Sequence, residues 1–410
     1  MNKICLLGGS NSVLKTGLSS GLCDVDDYVF ALGATSSLQN IHAISLFSNE
    51  INEVDFIVTE SNVNDTYNIH NVGYNKSLIL NNVIHFYDEL YKTGKKIICL
   101  IISIKKYTEQ VAPVELINEV NNLHRELCDK YSFYLIDLDK KFQDLSPSVL
   151  TTKFIQPDPL HPLDSFMYTL GCNIRRFIHS ESKNKREKTK SNFRVVTLNS
   201  NCHKKNSMFN RKLHELKSKV EIDIDKASLV GIETWSDALS EILIEHDNEV
   251  IIKHFNSNLA FNEIHKPIPT KFEISSRIGK SSNATEPSVN VTSADILKDY
   301  AKISSLLFLN HIPQFSFISS GGRHISLDFL IPKLEPFSGG VARFINKNIP
   351  FVTNDLTADY LRDAALRLED IDIKLSFQLM KIAHEIRPKG PLIKKKKEEY
   401  KKKIQKIQKK

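Results

Sequence analysis

The chain of 410 residues has a single tryptophan and no apolar run near the roughly 18 residues needed to cross a bilayer as a helix. Its longest strongly apolar stretches, such as residues 97–102, have the length of buried strands. Six cysteines (Cys5, Cys23, Cys99, Cys128, Cys172, Cys202) are scattered with no Cys-x-x-Cys pair. That excludes the usual zinc-binding and disulfide frameworks and leaves thiols expected to be reduced and mostly buried, with no metal site. A secretory signal is not expected either. After Lys3, the apolar Cys5-Leu6-Leu7 runs straight into Gly8-Gly9-Ser10, a strand and a turn. The expected location is the cytoplasm.

The body also lacks net charge of either sign. Residues 389–410 hold 11 Lys and 2 Glu, so this tail alone carries +9 while the whole chain carries +7, leaving the remainder at −2. A nucleic-acid partner is therefore not expected; the basic character is local.

What is present begins with alternation. Apolar runs at residues 4–7, 28–32, 55–58, 96–102 and 133–136 read as strands buried on both faces. Between them lie helical stripes: Ile79, Val83, Phe86 and Leu90, then Leu116, Val120, Leu123 and Leu127 with Pro113 near the first turn. Strand–helix alternation predicts an α/β fold, a parallel sheet covered on both faces, with functional groups at the strands' carboxyl ends. Residues 1–181 form this unit and the polar segment 182–191 reads as a linker. Residues 192–350 carry short β-like runs and predict a β-rich, sandwich-like or jelly-roll domain, with a hairpin turn at His246-Asp247-Asn248-Glu249. Residues 351–410 predict a helical hairpin, with stripes Leu361, Ala365, Leu368 and Leu375, Leu379, Ile382, Ile386, and Asp372 as a cap. A single such hairpin cannot bury its own face and must dock. The basic tail then forms a weakly amphipathic helix through Ile393, Tyr400, Ile404 and Ile407.

Four short blocks carry chemistry. Gly8-Gly9-Ser10-Asn11-Ser12 follows the first strand and suits a serine presented on a sharp turn. The plainer alternatives are a strand-to-helix turn or a phosphate cradle, although the run is not Gly-x-Gly-x-x-Gly and no P-loop lysine follows. Asp158-Pro159-Leu160-His161-Pro162 can supply a base histidine and the carboxylate that orients it; alternatively Asp158 caps a helix and His161 is a surface residue. Thr59-Glu60-Ser61-Asn62-Val63-Asn64-Asp65 places amides at a strand end, where they can face an oxyanion or merely make a turn. Gly33 follows the second strand, as an open backbone donor or a tight turn.

The order and placement of these blocks resemble the SGNH (GDSL) hydrolase and acyltransferase superfamily over roughly residues 1–180. The resemblance implies a flavodoxin-like α/β/α fold, Ser10 as nucleophile, His161 as general base and Asp158 as its orienting partner. It also implies an oxyanion hole from the backbone N–H groups of Ser10 and Gly33 and the Asn64 side chain. Two departures stand out. Gly9 occupies the place of the family's Asp, losing a carboxylate beside the nucleophile. Asn62 occupies the place of a Gly, putting a side chain at the rim of the site. His70, His85, His254 and His265 have no ligand spacing, and Trp235 reads as core rather than as a sugar-stacking platform.

A serine site of this kind does acyl transfer without revealing the acceptor. Residues 375–400 resemble a module of bacterial capsule-biosynthesis proteins. Together with the β-rich domain and the cytoplasmic expectation, this points to an O-acetyltransferase moving acetyl from acetyl-CoA to a hydroxyl of a surface polysaccharide, or of its oligosaccharide precursor. A carbohydrate O-acetyl esterase and a non-catalytic glycan-binding or scaffolding protein are the alternatives. The basic tail suits an anionic membrane surface, at the inner face of the cytoplasmic membrane, or capsule-assembly proteins.

Overall fold

The computed structural model describes residues 1–14, 16–34, 36–104, 112–143, 155–156, 159–183, 186–289, 291, 296–316, 322–333, 355–370 and 372–408. Its strands are β1 (Ile4–Gly8), β2 (Tyr28–Ala31), β3 (Phe56–Glu60), β4 (Lys96–Ile101), β5 (Tyr134–Asp137), β6 (Phe193–Val196), β7 (Cys202–Lys205), β8 (Asn210–Glu215), β9 (Val220–Asp223), β10 (Ala227–Trp235), β11 (Ser240–His246), β12 (Glu249–Phe255), β13 (Ala260–Ile268), β14 (Lys271–Ser275), β15 (Gly279–Lys280), β16 (Ile296–Leu297), β17 (Lys302–Asn310) and β18 (Ile325–Ser326). The helices are α1 (Ser10–Val13), α2 (Leu18–Leu22), α3 (Ser37–Leu46), α4 (Ser48–Glu53), α5 (Asn62–Tyr67), α6 (Lys76–Lys92), α7 (Val114–Tyr131), α8 (Leu138–Gln143), α9 (Asp164–Ser180), α10 (Asp355–Leu368), α11 (Ile373–Ile386) and α12 (Pro391–Gln408).

All five expected strands of the first unit pair in parallel, in the order β18-β5-β4-β3-β1-β2. Apart from β18, this is the 2-1-3-4-5 order of flavodoxin-like sheets, whose direction of winding reverses between β1 and β3. The crevice at their carboxyl ends is where such a sheet places its ligand. The sixth strand lies within the stretch expected to be β-rich: Ile325 and Ser326 pair with β5, and Asp328 Oδ1 accepts from Asp137 N at 2.9 Å. The chain thus returns to the first sheet before the helical hairpin.

Two apolar layers cover the sheet. On one face Leu6, Val58 and Ile98 meet Leu18, Leu170 and Ile174; on the other Leu7, Ile57 and Cys99 meet Ile41, Val83 and Phe86. The α7 stripe is rotated from the expected one. Ile117, Val120, His124, Leu127 and Tyr131 are buried, whereas Leu116 and Leu123 are half-buried. Counting apolar residues alone missed the buried polar members, Asn121 and His124, which bond to groups beneath them. Helices α2 and α9 cross closely. A Cβ on Gly21 would overlap the Tyr168 carbonyl, and one on Gly171 would come within 2.6 Å of Leu18 O. This contact brings the segment after β1 against the helix that follows His161.

The β-rich part is a sandwich of two antiparallel sheets, β13-β10-β17-β8-β7 with β6 also on β17, and β12-β11-β14-β9, enclosing Ile232, Ile242, Ile264, Phe272 and Leu306. The hairpin expected at His246-Asp247-Asn248-Glu249 forms, with His246 opposite Glu249 and both central residues left-handed, at φ 44° and 66°. The larger sheet also turns an apolar face to the first unit, where Trp235, Phe261 and Leu307 join the layer over α3 and α6. Residues 186–191 of the expected linker lie along the body, with Arg186 N and Thr189 N donating to Gly94 O and Lys92 O at 3.0 Å each.

A buried polar latch joins sandwich and body. Glu263 on β13 accepts from Ser36 and from Asn82 Nδ2, the latter at 2.6 Å, while Lys253 Nζ donates to Glu263 O at 2.7 Å and to Glu286 Oε2 at 3.1 Å. Burial, with Asp65 nearby, pushes the Glu263 carboxyl up from 4.5 to about 8. The folded state therefore holds a proton that the unfolded chain releases between these values, so this carboxyl's stabilising effect is complete below about 4.5 and lost as pH rises through 8. The melting temperature is expected to fall across that window, by an amount equivalent to a few kcal/mol. Glu263→Gln should flatten the fall, as thermal unfolding at a series of pH values will show.

The hairpin docks on α9 through Tyr360, Leu361 and Ala365, through Ser165 N on Asp363 Oδ2 at 3.1 Å, and through Arg367 Nη2 on Asp164 Oδ1 at 2.7 Å. Asp372 caps α11 by accepting from Leu375 N at 3.0 Å. The tail is not a free helix: Ile393 and Tyr400 are buried against the hairpin, and Tyr400 donates to Glu369 Oε2 at 2.7 Å. Ile407 is exposed. Among the described residues no helix is long and apolar enough to cross a membrane.

Candidate active site

β1 delivers Gly8, Gly9 and Ser10 to the crevice between β1 and β3, and Ser10 opens the short α1. The half-buried His161 reaches the same point from the loop before α9, with its Nε2 2.8 Å from Ser10 Oγ. A serine hydroxyl at hydrogen-bond distance from an imidazole can act as a nucleophile with the imidazole as the base that takes its proton. The His161 loop is tied down locally: Asn11 Nδ2 donates to Leu160 O at 3.2 Å, and Gln156 Nε2 donates to Ser103 O at 2.6 Å and Pro159 O at 3.0 Å. Helix α9 starts at Asp164 without a side-chain cap at Leu163. Asp158, expected to orient His161, lies outside the described residues.

Asn64 sits in the first turns of α5, directly after β3. Its Nδ2 is buried, has no hydrogen-bond partner, and lies over Gly9 where a Cβ would overlap it. A buried donor without an acceptor is costly. Beside a serine nucleophile, it is placed to receive a developing oxyanion. Behind it, Asp65 fixes the start of α3, accepting from Ser37 N and Ser37 Oγ at 2.8 Å each, with His124 Nε2 3.3 Å away. Gly33 follows β2, whose ladder is continued by Leu32 N donating to Gly8 O at 3.0 Å, and open space lies where its side chain would be. The sheet thus brings Ser10, Gly33 and Asn64 to the ends of three adjacent strands, and His161 joins them.

No family model matches the chain, and no curated protein matches its sequence. Solved structures do resemble part of it. A lipase/acylhydrolase from Enterococcus faecalis is 18% identical, with 45% of this chain and all of that one covered, at a TM-score of 0.35. The acetyl xylan esterase AlAXEase is also 18% identical over 43% of this chain and 98% of its own, at 0.32. Axe2, an acetylxylan esterase from Geobacillus stearothermophilus, is 13% identical over 45% and 97%, at 0.33. The likeness is one of fold alone.

Both departures from the resembled pattern have a structural account. Asn62 is not at the rim of the site. It is fully buried, donating to Ile102 O and Asn121 Oδ1 at 2.8 Å each and accepting from Ile102 N at 3.1 Å, so it anchors α5 to the end of β4. At Gly9 an acid would displace the Asn64 amide, because a Cβ there meets its Nδ2. Gly9→Asp, which restores the family residue, is therefore expected to lower acyl-transfer rates by about 100-fold or more, as if the Asn64 donor were lost. Initial rates on p-nitrophenyl acetate check this.

A residue to which the sequence reading gave no role, Glu60, ends β3 beneath the nucleophile turn. Its Oε1 accepts from Gly9 N at 2.8 Å and from Ser12 Oγ at 3.0 Å. Burial pushes its carboxyl up to about 7 against these bonds and the nearby His161, which pull it down. The available signal was one acid closing an otherwise apolar and hydroxyl-bearing strand, Phe56-Ile57-Val58-Thr59.

The remaining candidates are structural. Trp235 is buried and donates to Asp237 Oδ1 at 3.0 Å. His85 stacks on Phe315 and meets Phe193 edge-on, His265 packs edge-on to Tyr74, and His254 Nε2 lies 3.1 Å from Glu241 Oε2. His70 is exposed. All six cysteines are free, with Cys5, Cys99 and Cys128 buried and the others half-buried. Among the described residues no group of three or more His, Cys, Asp or Glu side chains is placed to hold a metal.

Proposed function

We propose that the protein transfers acyl groups through an ester on Ser10, and that its reaction is O-acetylation of a bacterial surface (capsular) polysaccharide or its precursor, with acetyl-CoA as donor. The observation that carries the acyl-transfer part is the 2.8 Å approach of His161 Nε2 to Ser10 Oγ beside the unpartnered Asn64 amide. In this reading His161 takes the Ser10 proton as Oγ attacks the thioester carbonyl. The oxyanion is received by Asn64 Nδ2 and the backbone N–H groups of Ser10 and Gly33. His161 then returns the proton to the departing CoA thiolate, leaving acetyl-Ser10. A sugar hydroxyl attacks that ester with the same base, and the proton passes through His161 back to Ser10. Asp158 is assigned to orienting His161.

The acceptor assignment rests on the β-rich sandwich, the expected cytoplasmic location and the resemblance of residues 375–400 to a module of bacterial capsule-biosynthesis proteins; the basic tail bears on where the protein docks. Ile393 and Tyr400 of α12 are buried against the hairpin, whereas Lys394, Lys395, Lys401, Lys402 and Lys403 remain exposed, a face suited to an acidic polymer or an anionic membrane surface.

The test is acetyl-CoA turnover with and without candidate polysaccharides, comparing wild type with Ser10→Ala. CoA release that needs both polymer and Ser10 is the expected result. CoA release independent of both would overturn the transferase reading. Loss of acetate from acetylated polymer without CoA would replace it by an esterase. Full function in Ser10→Ala would leave a glycan-binding or scaffolding role.

A further inference from the structure

We infer that Glu60 is the positioning residue of the turn that carries Ser10, and that its ionised carboxylate holds that turn from β3. The inference rests on Ser10 being the acyl-transfer nucleophile. Three observations lead to it. First, Glu60 Oε1 accepts from Gly9 N at 2.8 Å, the amide directly before Ser10, and from Ser12 Oγ at 3.0 Å, so it grips the turn on both sides of the serine. Second, the grip is tight. A Cβ on Gly8 would come within 2.8 Å of Glu60 Oε1, so the backbone before the serine lies directly on the carboxyl. Third, a side chain at position 9 would push the Asn64 amide aside, so with Asn64 in place the carboxylate that touches this turn comes from β3.

The same placement gives Glu60 an electrostatic role. Glu60 is buried, and the imidazolium that forms when His161 accepts the Ser10 proton favours its ionised form. Among the described residues, its packed surroundings are mostly neutral. β1 contributes Gly8 and Gly9, and α1 contributes Ser12. β4 places Cys99 beside Thr59, and Asp65 on α5 is engaged with Ser37 and His124. Burial holds the Glu60 carboxyl near 7, so its charge appears as pH rises through neutrality and disappears as pH falls.

Gln at position 60 can keep both accepted bonds while removing the charge. Acylation of Ser10 by p-nitrophenyl acetate is therefore measured for wild type and Glu60→Gln across a pH series. At about pH 8.5 Glu60→Gln is expected to lose about tenfold in kcat with KM unchanged, and the two proteins should converge towards about pH 5.5, where wild-type Glu60 is itself neutral. Ser12→Ala, which removes a bond that favours the charged form, should move the acid limb of the profile to higher pH. A role confined to folding stability predicts a wild-type to Glu60→Gln ratio that does not change with pH; that result, or an unmoved limb in Ser12→Ala, overturns the proposal. If wild type is active and the ratio is flat, the Glu60 assignment alone fails. If wild type does not acylate at Ser10, the acyl-transfer reading fails and the Glu60 assignment with it.

Discussion

Ser10→Ala is expected to lower kcat/KM for acyl transfer by roughly 10⁵- to 10⁶-fold, with circular dichroism and melting temperature close to wild type. The half-buried hydroxyl has His161 Nε2 at 2.8 Å as partner, so its loss removes little packing. What it removes is the atom that carries the acyl group. His161→Ala should cost a similar factor, because an unassisted serine hydroxyl is a poor nucleophile near neutral pH. The double variant should be no worse than either single one, since two residues acting as one unit give non-additive losses. If the single losses multiply in the double variant, Ser10 and His161 do not act as a pair. If Ser10→Ala keeps substantial activity, the reacting group lies elsewhere.

The second large effect concerns Asn64. Asn64→Ala is expected to reduce kcat by about 10²- to 10³-fold, equivalent to about 3–4 kcal/mol of transition-state stabilisation, with KM little changed. The reason is the state of its amide in the free protein: buried, over Gly9, and without an acceptor. A donor that already satisfied another group would have to break that bond to help, whereas this one gains its partner only as the carbonyl oxygen becomes an oxyanion. For the same reason Asn64→Ala should not destabilise the fold, because it removes an unsatisfied donor. Steady-state kinetics with thermal unfolding separates the two effects. A rise in KM alone would make Asn64 a ground-state binding residue.

Much of this arrangement was legible in the chain. Runs such as Ile4-Cys5-Leu6-Leu7 and Lys96-Ile97-Ile98-Cys99 announce themselves because a parallel strand is buried on both faces. The turn signals that follow β1, β2 and β3 then put Ser10, Gly33 and Asn64 at one edge of the sheet. What was not legible has a physical cause in each case. β18 is two residues long and joins a sheet whose neighbouring strand lies about 190 residues earlier, which no local pattern can encode. Asn62 resembled a rim residue because sequence does not show that its amide turns inward to Ile102 and Asn121. Glu60 was passed over because an acid in a strand is ordinarily a solvated residue, and only the folded turn shows two donors aimed at it. The docking of the tail was hidden by its lysines, since Ile393 and Tyr400 alone carry its buried side.

The most direct test of the account is whether an acyl group can be found on Ser10. Wild-type protein is mixed with acetyl-CoA, and in parallel with p-nitrophenyl acetate, quenched in acid during turnover, digested and mapped by mass spectrometry. One acetyl group is expected on the peptide containing Gly8-Gly9-Ser10-Asn11-Ser12, located at Ser10, from at least one of the two donors and absent in Ser10→Ala. Turnover in wild type with no acetyl on that peptide, or with acetyl on another residue that persists in Ser10→Ala, would contradict it.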